Sequence, residues 1–128
     1  MLTVIVPTYN AEPYLSQAIG SLLNENKIEL EILAINDGST DNSLAVMQEF
    51  AARDSRARVI DKANQGYGAT CNLGIREAKG DWIAIFEPDD WIEPGMYSDM
   101  LAFAMREFGD PNKLDIIETP YWIIRNPD

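Results

Sequence analysis

The chain has 128 residues and a formal net charge of −11, with no histidine and a single cysteine. Such an acidic chain repels nucleic acid and anionic membranes, and we expect no nucleic-acid partner. The missing histidine excludes Ser/His/Asp and Cys/His nucleophilic sites, and a lone cysteine excludes an internal disulfide. Any metal must be held by oxygen ligands, which favours Mg²⁺ or Mn²⁺. Without a secretory signal or a membrane-spanning run, the sequence predicts a cytoplasmic protein, located in solution or at the inner face of the membrane.

The first half of the chain alternates apolar runs with helical patterns. Leu2–Val6 predicts a buried strand that ends at the proline which follows, and a helix face recurs from Pro13 onward. Glu31–Asn36 predicts a second strand, followed by turn-forming residues and a second helix that Asp41 or Asn42 caps. The inward faces of the two helices are predicted to comprise Leu15, Ala18, Ile19, Leu22 and Leu23, and Leu44, Met47, Phe50 and Ala51.

The second half continues the alternation. Ala57–Asp61 predicts a third strand, and a third helix runs to Ala78, where Gly80 is expected to stop it. Asp81–Glu87 predicts a fourth, buried strand, and Pro94 begins a fourth helix. Its inner face is predicted to comprise Tyr97, Leu101, Ala104, Met105 and Phe108, and further strands are predicted at Leu114–Thr119 and Tyr121–Ile124.

Strand and helix alternate throughout, which predicts a single α/β domain over residues 1–128 with mostly parallel strands. The apolar strand at the C-terminus is typical of a sheet edge or of a chain cut from a longer protein, and we favour the second interpretation.

Polar clusters follow three of the predicted strands, at residues 7–10, 36–39 and 87–90. Ligands of open parallel sheets bind at the carboxyl ends of strands, near the point where strand order reverses. In the third cluster the adjacent carboxylates of Asp89 and Asp90 repel each other, and a divalent cation that bridges them to a diphosphate would relieve the repulsion. The alternative is a pair of charges stabilised by a helix N-terminus.

Three other features of the sequence are candidate sites. Gly66-Tyr67-Gly68 matches the start of a dinucleotide fingerprint, but Cys71 replaces the last glycine and the segment does not follow the first strand. Cys71 is interpreted as a packing residue because no histidine is present to activate its thiol. Trp91 lies beside the two aspartates and is kept as a candidate ligand contact.

Four segments together resemble the family 2 glycosyltransferases, which are inverting enzymes with the GT-A fold. The segments are Val4–Asn10, Glu31–Asp41 with its D-G-S-x-D signature, Asn64–Ile75, which is similar to N-x-G-x-x-x-A-R-N-x-G, and Phe86–Trp91, which is similar to D-x-D-D. The resemblance implies a Rossmann-like α/β/α sandwich with a mostly parallel central sheet. It also implies transfer of a sugar from a UDP-sugar donor to a glycan or lipid-linked acceptor, as in polysaccharide biosynthesis.

The resemblance also implies roles for individual residues. The nucleotide-binding residues would be Pro7, Thr8, Tyr9, Asp37, Asn64, Asn72 and Asp89, with Asp37 on the base. Asp89 and Asp90 would hold Mn²⁺ or Mg²⁺ against the diphosphate. The catalytic residues stay unknown, because no segment before Asp128 matches the acceptor-binding half that carries the general base.

Two positions depart from the family pattern. Glu87 replaces the first aspartate of D-x-D, and Cys71 replaces a common arginine. These departures leave open a catalytically degenerate nucleotide-binding or regulatory module. A sugar nucleotidyltransferase is disfavoured, because no basic glycine-rich phosphate loop follows the first strand.

Overall fold

The computed structural model of the chain describes residues 1–109. Within them, four strands form one sheet in the order β3-β2-β1-β4, and every neighbouring pair is parallel. The elements are β1 (Leu2–Thr8), α1 (Glu12–Leu23), β2 (Leu30–Asp37), α2 (Ser43–Arg53), β3 (Ala57–Lys62), α3 (Tyr67–Glu77), β4 (Trp82–Ile85) and α4 (Met96–Phe108). The predicted α/β architecture is confirmed. The strands predicted at 114–119 and 121–124 lie outside the described residues.

Strand order reverses at β1. The chain moves outward from β1 to β2 and then to β3, and returns to place β4 on the other side of β1. A crevice opens outside the carboxyl ends of the strands at such a switch point. The topology therefore places the segments after β1, β2 and β4 around one edge of the sheet.

Helices cover both faces of the sheet. On one face α1 and α4 pack through Leu22 and Tyr97 against Val4, and α2 adds Met47 to the same side. On the other face Leu73 of α3 packs against a cluster formed by Ile5, Leu33 and Ile35. Side chains of a strand alternate between faces, so β1 and β2, buried along their full length, supply both layers. This arrangement is the predicted α/β/α sandwich.

Pro7 does not end β1, contrary to the prediction, because the strand continues to Thr8. The carbonyl of Ile5 accepts the N–H of Phe86 at 2.8 Å, so residues 5 and 7 both direct their backbone polar groups toward β4. Pairing with β4 stops at Ile5 and Ile85. The missing N–H of Pro7 therefore interrupts no ladder bond.

The predicted burial of β4 and α4 is wrong in part. β4 has four residues rather than seven, and Ile83 and Ile85 are 44% and 45% exposed. In α4 the predicted inner residues Met105 and Phe108 are 49% and 43% exposed, although Tyr97 and Ala104 are buried. The core contacts of α4 come mainly from its first half, so its last turn leaves apolar side chains in solvent. Within residues 1–109 no helix is long and apolar enough to cross a membrane.

The start of α2 agrees with the prediction in the identity of its N-cap residue but not in its bonding, and the end of α3 differs from the prediction. Asn42 occupies the N-cap of α2, but its side chain donates to Glu12, and Asp41 accepts the N–H of Ser43 at 2.9 Å instead. α3 ends at Glu77 without a glycine stop. Gly80 instead donates its N–H to the Thr3 hydroxyl at 2.9 Å, which ties the start of β4 to β1.

Gly74 sets the distance between α3 and the sheet. A Cβ at this position would lie 2.5 Å from Cγ2 of the fully buried Ile5 and 3.1 Å from Cδ1 of Ile35. The free-energy cost of this overpacking, about 2 kcal/mol, should outweigh the gain of up to about 1 kcal/mol that alanine gives over glycine in a helix. We therefore expect Gly74→Ala to lower the free energy of unfolding by about 1 kcal/mol in urea titrations.

Gly20 in α1 provides the matched control, because a Cβ there meets nothing within 4 Å. Gly20→Ala should raise the free energy of unfolding by up to about 1 kcal/mol. Equal effects of the two substitutions would show that α3 does not pack on β1 at this distance.

Candidate functional site

A cavity of about 290 Å³ opens at the carboxyl edge of the sheet. It lies at the switch point, between the ends of β1, β2 and β4 and the first turn of α3. The residues that line it are Pro7, Thr8, Tyr9, Asp37, Asn64, Gly66, Tyr67, Thr70, Glu87 and Pro88. Four sequence segments that are far apart in the chain thus meet around one space.

Five of the seven residues predicted to bind nucleotide line this cavity, namely Pro7, Thr8, Tyr9, Asp37 and Asn64. The other two, Asn72 and Asp89, do not. Asn72 is exposed on α3, and Asp89 is exposed in the turn that follows β4. The structure therefore brings together the segments after β1 and β2 as predicted, and places the aspartates just outside the cavity lining.

Asp37 organises the loop that forms one wall. Its carboxylate accepts a hydrogen bond from the Lys62 ammonium, and also from the backbone N–H groups of Gln65 at 2.8 Å and Gly66 at 2.9 Å. Burial alone would raise the pKa of Asp37, but the bonds from Lys62, Gln65 and Gly66 together hold that pKa below its usual range. A carboxylate offers about four acceptor positions, so one stays available to a ligand.

Gly38 lets this loop pack closely on the end of β2. Its φ of +70° lies in the left-handed region, and a Cβ there would meet the backbone nitrogen of Asn64 at 2.7 Å. The amide of Asn64 in turn donates to the backbone carbonyl of Asp37 at 3.0 Å. Glycine is therefore required next to Asp37 for the cavity wall to form.

Asn10 joins the loop after β1 to the loop after β2. Its φ is +48°, and its side-chain oxygen accepts the N–H groups of Thr40 at 2.7 Å and Asp41 at 3.3 Å. The backbone N–H of Asn10 donates to the Ser39 hydroxyl at 3.0 Å. These bonds hold the preceding Tyr9, 53% exposed, at the mouth of the cavity. Sequence reasoning missed this clamp because its partners are about thirty residues apart.

Glu87 and Tyr67 meet across the cavity. The Tyr67 hydroxyl donates to the Glu87 carboxylate, and this bond is the main cause that raises the pKa of Tyr67. Cys71 lies one helical turn beyond Tyr67 and is buried, and burial raises the pKa of its thiol. An inert, buried thiol fits the packing role predicted for Cys71. Tyr67 was not predicted as a site residue.

Asp89 and Asp90 share a tight turn in which the N–H of Asp90 donates to the carbonyl of Glu87 at 3.1 Å. Partial loss of solvent and the neighbouring Asp89 charge raise the pKa of Asp90. Burial and the Asp90 charge raise the pKa of Tyr97 to about 12, so Asp90 lies near the first turn of α4. Trp91 is 42% exposed and does not line the cavity. Residues 1–109 bring no third acidic, histidine or cysteine side chain to this pair.

The charge around the cavity is negative. Two of the residues that line it, Asp37 and Glu87, are acidic, and none of them is lysine or arginine. The nearby ammonium of Lys62 is already paired with Asp37, and both side chains are largely buried. A phosphate-bearing ligand would therefore meet no free basic side chain in the lining.

Comparison with known proteins shows which family the chain belongs to. The Glycosyl transferase family 2 model matches residues 3–110. The chain belongs to this family. The resemblance drawn from the four sequence segments is thereby confirmed, and the chain is a glycosyltransferase family 2 domain.

Individual relatives agree with this assignment. The uncharacterized glycosyltransferase EpsJ of Bacillus subtilis is 36% identical over 117 residues, which make up 91% of this chain and 33% of that protein. The chondroitin synthase of Pasteurella multocida is 31% identical over all 128 residues, which correspond to 13% of its length. This family 2 chain thus spans a third or less of the length of these two relatives.

The fold is that of GT-A glycosyltransferases. The crystal structure of S. aureus TarS 1-349 in complex with UDP-GlcNAc superposes with a TM-score of 0.76 at 28% sequence identity. The match covers 82% of this chain and 31% of the TarS chain.

Proposed function

We propose that this chain is the donor-binding region of a glycosyltransferase that holds a UDP-sugar in the cavity at the switch point. The observation that carries the proposal is that all four family-signature segments converge on this one cavity. Similarity to a structure that holds UDP-GlcNAc supports a uridine nucleotide as the ligand. The remaining acceptor position of Asp37 would receive the imide N–H of uracil, because a carboxylate only accepts hydrogen bonds.

The proposal includes Mn²⁺ or Mg²⁺, held by Asp89 and Asp90 against the diphosphate. Mg²⁺ is commonly bound by one or two carboxylates together with substrate phosphates and water, so a pair of aspartates without a third acidic group fits such an ion. The acidic lining is a second reason to expect a bound cation, because a diphosphate needs a counter-charge that the lining does not supply. When bound, the ion would stabilise the departing nucleoside diphosphate.

The reaction in this proposal is inverting transfer of the sugar to a glycan or lipid-linked acceptor in polysaccharide biosynthesis, at the cytoplasmic side of the cell. The acceptor hydroxyl attacks the anomeric carbon as the bond to the diphosphate breaks, and a general base takes the hydroxyl proton. No residue of this chain is assigned as that base. We place the base and the acceptor site in a region beyond the donor-binding part.

A degenerate nucleotide-binding module is the second candidate. The observation that favours it is the hydrogen bond of Glu87 to Tyr67, which occupies the carboxylate at the first position of D-x-D. Slow metal-dependent release of UDP from a UDP-sugar would support the enzyme. Binding without any turnover, in a chain extended to the length of its relatives, would support the module.

Mapping of backbone amide shifts by NMR tests the location of the site. With UDP and Mg²⁺ we expect the largest shifts at Thr8, Tyr9, Asp37, Gly66 and Tyr67. Amides at the opposite edge of the sheet, around Glu31 and Lys79, should shift little. Uridine should shift the amide signals of the same cavity wall, with smaller shifts in the turn after β4. Shifts concentrated away from the cavity, or their absence at saturating UDP, would contradict the proposal.

A further inference from the structure

Tyr67 and Glu87 connect two elements at the cavity. Tyr67 is the first residue of α3, and Glu87 follows β4, twenty residues later. The Tyr67 side chain is 54% exposed and lines the cavity together with Glu87. The Tyr67 side chain therefore reaches from the start of α3 to the segment after β4.

This bond anchors the turn that carries the aspartates. Glu87 begins the turn, since its carbonyl accepts the N–H of Asp90 at 3.1 Å. Within residues 1–109, the bond from Tyr67 is the hydrogen bond that ties residues 87–90 to another element, because the other bond in the segment is internal. Phe86 before the turn is fixed to β1, and Ile92 after it donates to the Ser21 hydroxyl at 3.1 Å. Between these two points the position of the turn depends on Tyr67.

We propose that Tyr67 is a positioning residue that fixes the turn bearing Asp89 and Asp90, and so sets the affinity for the divalent ion of the donor complex. This inference rests on the proposed function. Glutamate has one more rotatable bond than aspartate, so ordering Glu87 costs more conformational entropy. The hydrogen bond from the Tyr67 hydroxyl holds Glu87 in one position and would offset that cost.

The test is Tyr67→Phe, which keeps the ring in the cavity wall and removes only the hydroxyl. The Mn²⁺ concentration that gives half-maximal UDP binding should rise about tenfold, the effect typical of losing support behind metal ligands. The affinity for uridine, which has no phosphate to share with the ion, should stay unchanged. A general structural defect would weaken both the Mn²⁺-dependent binding of UDP and the binding of uridine. Tyr14→Phe is the matched control, because Tyr14 is 53% exposed on α1 and does not line the cavity.

A second background shows whether Tyr67 acts through Glu87. In Glu87→Ala, the further change Tyr67→Phe should leave the Mn²⁺ requirement unaltered. An equal rise in both backgrounds would overturn the inference, as would an unchanged requirement in Tyr67→Phe while the wild-type chain binds UDP with Mn²⁺. If the wild-type chain binds no UDP at any Mn²⁺ concentration, the proposed function fails and the inference fails with it.

Discussion

Replacing Asp89 with asparagine is expected to weaken UDP binding in Mn²⁺ by at least about a hundredfold, since even residues behind metal ligands contribute ten- to hundredfold. Asparagine keeps the size and the carbonyl oxygen of the side chain but removes its charge. The diphosphate then approaches a cavity edge with no basic side chain in its lining and a weakened site for the ion. Calorimetric titration of UDP at fixed Mn²⁺ measures the effect.

Glu93→Gln is the control for this substitution. Glu93 is exposed, lies after the turn that carries Asp89, and does not line the cavity, and the change removes the same single charge. Its UDP affinity should match the wild-type value. If both variants bind UDP as tightly as the wild-type chain, Asp89 is not a metal ligand; if both lose affinity equally, long-range charge rather than coordination is responsible.

Asp37→Ala is expected to lower the free energy of unfolding by about 3 kcal/mol, the usual cost of removing one partner of a buried ion pair. The Asp37 and Lys62 side chains are only 5% and 12% exposed, so the substitution leaves a poorly solvated ammonium without its partner. It also releases the N–H groups of Gln65 and Gly66, which removes the cavity wall. UDP binding should be lost in parallel. Urea titration and calorimetry measure the two effects.

The double variant Asp37→Ala with Lys62→Met tests the cause. Removing both charges should restore much of the lost stability but not UDP binding, because the loop amides still lack their acceptor. A double variant as unstable as Asp37→Ala would show that loop anchoring, not the unpaired ammonium, determines the loss.

The lowered pKa of Asp37 fixes the sign of its pH dependence. A carboxyl group with a folded-state pKa below its unfolded value, about 3.9 for aspartate, stabilises the fold fully above that value. The contribution is lost as the pH falls through the lowered pKa. The stability difference between the wild-type chain and Asp37→Ala should therefore shrink below about pH 4. A difference that stays constant down to pH 2 would contradict this assignment.

The fold was largely predictable because local pattern decides it. Leu15 and Leu22 recur at the helical period, and both are buried as predicted. Pattern alone fails where burial depends on neighbouring elements. Met105 continues the apolar spacing of α4, yet the helix packs through its first half and leaves that side chain exposed. The apolar run around Ile83 predicts that this side chain is buried, but it lies on an exposed face of β4.

The candidate site was predictable where family segments mark strand ends, as for Thr8 and Asp37. Lys62 was missed because its role depends on strand register, which pairs it with Asp37 across β2 and β3. Tyr67 was missed because its partner Glu87 is twenty residues away and is reached only after α3 and β4 have packed. Hydrogen bonds between distant loops leave no periodic signal in a single sequence.

In the function proposed for it, this chain binds a uridine diphosphate through a divalent ion at the carboxyl edge of the sheet. The most direct test is calorimetric titration of UDP into the wild-type chain with Mn²⁺ and again after chelation of the metal. We predict saturable binding with Mn²⁺ and a loss of at least about tenfold in affinity without it. Binding of equal strength in both conditions, or no binding in either, would contradict the claim.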